Sequence, residues 1–285
     1  MNAARLFVIV SMFFIGRMGF AASPWFVDGW DQGNGAGSGI PYTWGGGVVA
    51  WFIEEEDLGP LPFATVRKMV KDAFDGWAAA GILLPGLYPV DVVALEPAAG
   101  GIVKGTIGDR PTYEKYCADR VVIVMDPDGN ILWSLGADPA DVAAYTQICS
   151  IDPATLTVRG AATLLSGVRA QDLGITAETE ENDPAMRLFR AGVVHEIGHL
   201  LNIDHSALGQ ELEGSATPNA GLGVPTMYPR IVTPLQDDLH LDDIVAAASL
   251  YPNPDFTAKF CAITGQLIGV DGKGFQGAMV IARAT

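Results

Sequence analysis

A chain of 285 residues that is 49% hydrophobic and 18% charged holds enough apolar material for a real core, which excludes a disordered polypeptide. Its 17 basic residues stand against 33 acidic ones, and the net charge of −16 argues against a nucleic-acid partner, which needs a basic face. No run after the first 20 residues reaches the roughly 18 uninterrupted apolar residues of a membrane-spanning helix.

Residues 1–21 read as an export signal. Met1 to Ala22 contains no acid, Arg5 precedes the apolar run Leu6 to Ile15, and Gly19-Phe20-Ala21 offers a small-x-small cleavage site. The expectation is a secreted, periplasmic or cell-surface protein with no stable membrane insertion once the signal is gone. Its removal takes away Arg5 and Arg17, which moves the charge from −16 to −18. An acidic exported surface stays soluble and would attract cations such as Ca²⁺ as a structural ion, the alternative being solvation alone, and no complete calcium-loop motif is present.

Residues 22–43 are Gly-rich and read as a flexible lead-in. Val48 to Ile53 is apolar and β-branched, a strand pattern. Phe63 to Ala80 places Val66, Met69, Val70, Phe74 and Trp77 near helical spacing, and Gly81 stops it. Val90 to Leu95 reads as a strand. Val121 to Met125 and Ile131 to Trp133 flank Asp126-Pro127-Asp128-Gly129-Asn130, a hairpin signal. Thr157 to Ser166 reads as a strand, and as the exposed sheet edge that an extended substrate would join.

Asp183-Pro184 gives a capping Asp and a Pro at the first helical position, opening a helix to about Leu201. Asp237 and Asp238 are expected to open a last helix that Pro252 ends. Residues 253–258 read as a linker. Residues 259–285 read as a β-hairpin that either pairs with the main domain or begins a truncated β-sandwich domain. In an oxidising compartment Cys117 and Cys149 are expected to pair, which leaves Cys261 unpaired or joined to another segment. Trp25, Trp30, Trp44 and Trp51 read as packing residues rather than a sugar-binding face.

The chemistry concentrates in His195-Glu196-Ile197-Gly198-His199-Leu200-Leu201-Asn202-Ile203-Asp204-His205, which holds three of the four histidines of the chain. His195 and His199 lie four apart, so they project from one helical face and can reach a single Zn²⁺ at about 2.0–2.1 Å. His205 joins them only if the chain turns back, and Asn202 sits where that turn is needed; Asn tolerates the left-handed conformation better than most residues. Three His ligands leave a fourth position for water, the mark of a catalytic zinc site. Glu196 lies beside that water, where a carboxylate can take its proton. His240 reads as a helix-surface or capping residue.

This stretch resembles the metzincin motif HExxHxxGxxH, and its Asp204-His205-Ser206 ending is most similar to the matrixin branch. Pro225-Thr226-Met227-Tyr228-Pro229 resembles the Met-turn of that family. Gln236-Asp237-Asp238 with Leu250-Tyr251-Pro252 is similar to its last helix, and Ala73-Phe74-Asp75-Gly76-Trp77 to its first. The resemblance spans residues 44–252 and is sharp from 193 to 251. It implies an α+β fold: a twisted mixed sheet with an active-site helix, a Met-turn and a C-terminal helix. It also implies a monomeric zinc endopeptidase that hydrolyses peptide bonds of protein or peptide substrates by zinc-activated water. His195, His199 and His205 would bind the zinc, with Glu196 as general base. Met227 would floor the site, and Tyr228 and Pro229 would help line a substrate pocket. Asn202 departs from the Gly usual in the motif. The alternative is a catalytically weak binding or adhesion module of the same fold.

Overall fold

The computed structural model describes residues 25–26, 28, 40–45, 49–80, 110–206 and 224–252. The expected export signal, the Val90–Leu95 strand, Trp30, the linker, Cys261 and the terminal hairpin lie outside the described residues. The elements in chain order are β1 (Thr43–Trp44), β2 (Trp51–Ile53), α1 (Phe63–Ala79), α2 (Arg110–Cys117), β3 (Val121–Asp126), α3 (Asn130–Leu135), β4 (Ala144–Asp152), β5 (Thr157–Ser166), α4 (Gly167–Asp172), α5 (Pro184–Leu200), a 3₁₀ turn (Pro234–Asp237) and α6 (Leu241–Leu250).

The sheet is mixed. β2 pairs parallel with β3, β3 parallel with β5, and β1 parallel with the first two residues of β5. β4 runs antiparallel to β5, from Ala144 opposite Leu165 to Asp152 opposite Thr157. The expected strand 157–166 therefore forms, but it is not an edge: β3 takes one side and β4 the other. Among the described residues β4 pairs only with β5, so the antiparallel edge is β4. A run buried on both faces, as β5 largely is, belongs inside a sheet, and this pattern is what separates it from β4 with its partly exposed residues.

Two apolar layers cover the sheet. On one face Val121, Ile123, Met125, Ala161 and Leu165 meet α1 (Val66, Val70, Phe74, Trp77) and α5 (Phe189, Val193, Ile197). On the other, Val122, Val124, Ala162 and Leu164 meet Tyr113 and Cys117 of α2 and Ile131 and Leu132 of α3. Each fully buried Val, Leu, Ile or Phe contributes about 1.5–3 kcal/mol. Trp77, fully buried on α1, donates its indole N–H to the Val194 carbonyl of α5 at 2.9 Å, locking the first helix to the motif helix.

Three local expectations change. Residues 131–133 lie in helix α3 instead of a hairpin strand. The Asp126 carboxylate accepts from the amides of Ile131 (3.3 Å) and Leu132 (2.8 Å), which satisfies the first turn of a helix and leaves no ladder to build. Gly129 takes φ 74°, and a Cβ there would meet Pro139 Cγ at 2.5 Å. The last helix begins at Leu241, after His240, instead of at Asp237 and Asp238. Thr233 and Gln236 cap a separate 3₁₀ turn, and Asp237, 9% exposed, points back to the guanidinium groups of Arg187 and Arg190 on α5. Finally, the lead-in is not uniformly loose: Tyr42 is buried, and Trp25 and Phe26 bond to Asn202.

A disulfide joins Cys117 to Cys149, tying α2 to the edge strand β4 where its register shifts between Ile148 and Ser150. Among the described residues no helix is long and apolar enough to cross a membrane.

Candidate metal centre

Helix α5 starts as its residues dictate. The Asp183 carboxylate accepts from the Ala185 amide at 2.8 Å, and Pro184 occupies the first turn. It ends at Leu200 with Leu201 as its cap, and the next residue, Asn202, adopts φ 66°. The Asn202 amide then donates to the His199 carbonyl (2.8 Å) and the Ile203 amide to the Gly198 carbonyl (3.0 Å). This pair of backward bonds satisfies the last carbonyls of the helix and reverses the chain. The reversal is what returns His205 to the first two histidines.

The three rings meet. His195 and His199 lie 4.7 Å apart between centroids, His199 and His205 4.7 Å, and His195 and His205 5.2 Å. One ring nitrogen from each falls within 4.8 Å of the others. His199 Nε2 and His205 Nε2 approach to 3.1 Å, close to the edge of about 3.3 Å that a tetrahedron with 2.0–2.1 Å bonds requires. His195 Nδ1 bonds the Thr226 carbonyl at 2.7 Å and His199 Nδ1 the Ile203 carbonyl at 2.8 Å. A carbonyl can only accept, so each Nδ1 carries the proton and each Nε2 keeps its lone pair for a metal. Burial drives the His195 imidazole down to about 4, and burial lowers His199 and His205 as well. Burial thus favours the neutral form of all three rings, the form that binds a cation.

Glu196 is partly exposed on the same helix. The protein packed around it pushes its carboxyl up to about 8, against an opposing pull from Thr146. Thr146 sits on the edge strand β4, bonds Thr163 of β5 through their hydroxyls at 2.8 Å, and donates to the Glu196 carbonyl at 2.9 Å. The edge strand and the Glu196 turn of α5 are thereby held side by side.

Met227 is fully buried beneath the motif helix. Gly198, between the two helical histidines, has no space for a side chain: a Cβ would lie 2.3 Å from Met227 Sδ and 2.7 Å from Trp77 Cζ2. Tyr228 is buried and Pro229 is exposed. The Ser206 amide, directly after the third histidine, donates to the Met227 carbonyl at 2.6 Å.

Sequence reasoning missed Asp243. Its carboxylate accepts from the amides of Met227 (2.9 Å), Thr226 (2.9 Å) and His240 (2.8 Å), so one fully buried side chain of α6 braces the turn under the histidines. Burial holds its carboxyl above the usual range, in opposition to these three bonds. The signal was the spacing from His240 to Asp243, in which the third helical residue reaches back to the capping amide.

No protein-family model matches the chain, and no curated protein matches it. Among solved structures the chain is similar to the GM1-bound form of the ECX AB5 holotoxin. The identity is 15%, over 81% of this chain and 89% of that chain, with a TM-score of 0.40, a likeness too slight to speak for the fold.

Proposed function

We propose that this protein is an exported, metzincin-like zinc endopeptidase. The observation that carries the reading is the convergence of three imidazoles, two of which, His195 and His199, have their Nε2 atoms freed by Nδ1 bonds to carbonyls, with Glu196 following the first of them on the same helix. Soft-to-borderline nitrogen donors in this number suit Zn²⁺ and leave one position for solvent or substrate. His195, His199 and His205 would hold the ion, which when bound supplies a Lewis acid that polarises a carbonyl and makes water a nucleophile near neutral pH.

The residues of the chain do the rest. Glu196 takes a proton from the attacking water and returns it to the leaving amine. Edge strand β4, which among the described residues pairs only with β5, offers its other side to an extended peptide, and the bond from Thr146 to the Glu196 carbonyl fixes that strand relative to the general base. Met227 and Gly198 hold the ligand helix to one depth, which keeps His195 and His199 in register with His205. Tyr228 and Pro229 would help line the substrate pocket on the Met227 side, a role that the exposure of Pro229 suits better than the burial of Tyr228.

The rival is a binding module of the same architecture, and Glu196 speaks against it, because a module without hydrolysis has no use for a carboxylate directly after the first histidine of the triad. The purified chain is expected to bind about one Zn²⁺ and to cut casein and quenched peptides until a chelator is added. Stoichiometric zinc with no cleavage of either substrate would favour the binding module.

Proton release gives a second check. With its carboxyl near 8, Glu196 is mainly protonated at pH 7 in the metal-free protein, whereas His195 is held down to about 4 and burial lowers His199 and His205 in the same direction. A dication nearby favours the carboxylate, so the proton must leave on binding. Calorimetry in buffers of different ionisation enthalpy should show about one proton released per Zn²⁺ at pH 7. Glu196→Gln should abolish that release, and equal release from both proteins would refute the assignment.

A further inference from the structure

Asn202 does more than turn the chain. Its side chain is fully buried, and every polar atom on it is used. Oδ1 accepts from the Phe26 amide at 2.7 Å, and Nδ2 donates to the Phe26 carbonyl at 2.9 Å and to the Tyr42 carbonyl at 2.7 Å. The Asn202 carbonyl accepts from the Trp25 amide at 2.9 Å, and the Tyr42 amide closes the set on the Phe26 carbonyl at 3.1 Å. Asn202 thus pairs with Phe26 in both directions, as a strand neighbour would, across 176 positions of sequence.

The consequence falls on the metal centre. Held this way, the Trp25 ring lies 4.8 Å from the His199 ring, tilted by 44°. His199 is then enclosed by Trp25, His195 and His205. A Gly at position 202 would make the same reversal without strain, while Asn in the left-handed region costs on the order of 1 kcal/mol. The amide contacts that only Asn supplies are the compensation.

We propose that Asn202 is a positioning residue: it latches the Trp25–Phe26 strap across the end of α5, and the strap holds the ring of ligand His199 in its metal-binding orientation. This inference rests on the metal reading above. A free ring must be reoriented on binding, and loss of an outer support of this kind typically weakens metal affinity by about 10–100-fold.

The test uses the full chain as wild type, Asn202→Gly, Trp25→Ala and the double variant, with Co²⁺ followed by its visible absorption and Zn²⁺ by competition with a chromogenic chelator. Asn202→Gly and Trp25→Ala should each weaken both ions by about tenfold and alter the Co²⁺ spectrum, and the double variant should be no weaker than the worse single. Unchanged affinity in either single variant, with only a lower melting temperature, would overturn the latch. So would losses that multiply in the double variant. If Asn202→Gly does not fold, Trp25→Ala decides alone, since it leaves α5 and its turn intact. A wild type that binds neither ion would instead overturn the metal reading, and the latch with it.

Discussion

Glu196→Gln should lower peptide hydrolysis by at least about 10²-fold while zinc stays bound at full stoichiometry. The variant keeps the size of the side chain and removes its capacity to accept a proton, and a positioned general base contributes about 10²–10⁴ in rate. The loss should appear in kcat with little change in KM, because Glu196 acts on water and on the leaving amine and not on the bulk of the peptide. The histidine bonds to Thr226 and Ile203 do not involve residue 196, so the metal site should survive the change. Retained turnover in a variant with full zinc content would remove Glu196 from the mechanism.

Asp243→Ala is expected to be the most destabilising single change near the site, by about 3 kcal/mol or more. The reason lies in the three amides that one carboxylate satisfies, those of Thr226, Met227 and His240. Each buried donor left without a partner costs about 1–3 kcal/mol. The damage should reach the metal as well: Thr226 supplies the carbonyl that orients His195, and Met227 packs against Gly198 between the two helical histidines. Urea unfolding of the metal-free variant and its Zn²⁺ affinity measure the two effects separately. Near-wild-type stability, or a stability loss with unaltered affinity, would show that the brace does not extend to the histidines.

Much of the site was legible in sequence because its determinants are local. The Asp183-Pro184 start and the four-residue spacing of His195 and His199 depend only on helix geometry, and so does the need for a reversal at residue 202. The hairpin expected around Asp128 failed for a reason that is also local but easily misread. Gly-containing turns open helices as well as hairpins, and the choice fell to the Asp126 carboxylate, which caps α3. Asp237 failed differently: its position in the chain suits a helix start, but its charge is drawn to Arg187 and Arg190 on another element.

By itself the sequence determined the mixed helical and strand content, the helix that carries His195 and His199, and the clustering of three histidines around its end. All of these follow from spacing, capping and apolar period along a short stretch, whereas the pairing of Cys117 with Cys149 among three cysteines was open until the fold brought them together. Only the tertiary structure decided that β4 and not β5 is an edge of the sheet among the described residues, that Asp243 carries the turn below the histidines, and that Asn202 binds a strap 176 residues away. Strand order, buried amide partners and long-range bonds depend on which surfaces meet when the core closes, and no periodicity within one segment encodes that.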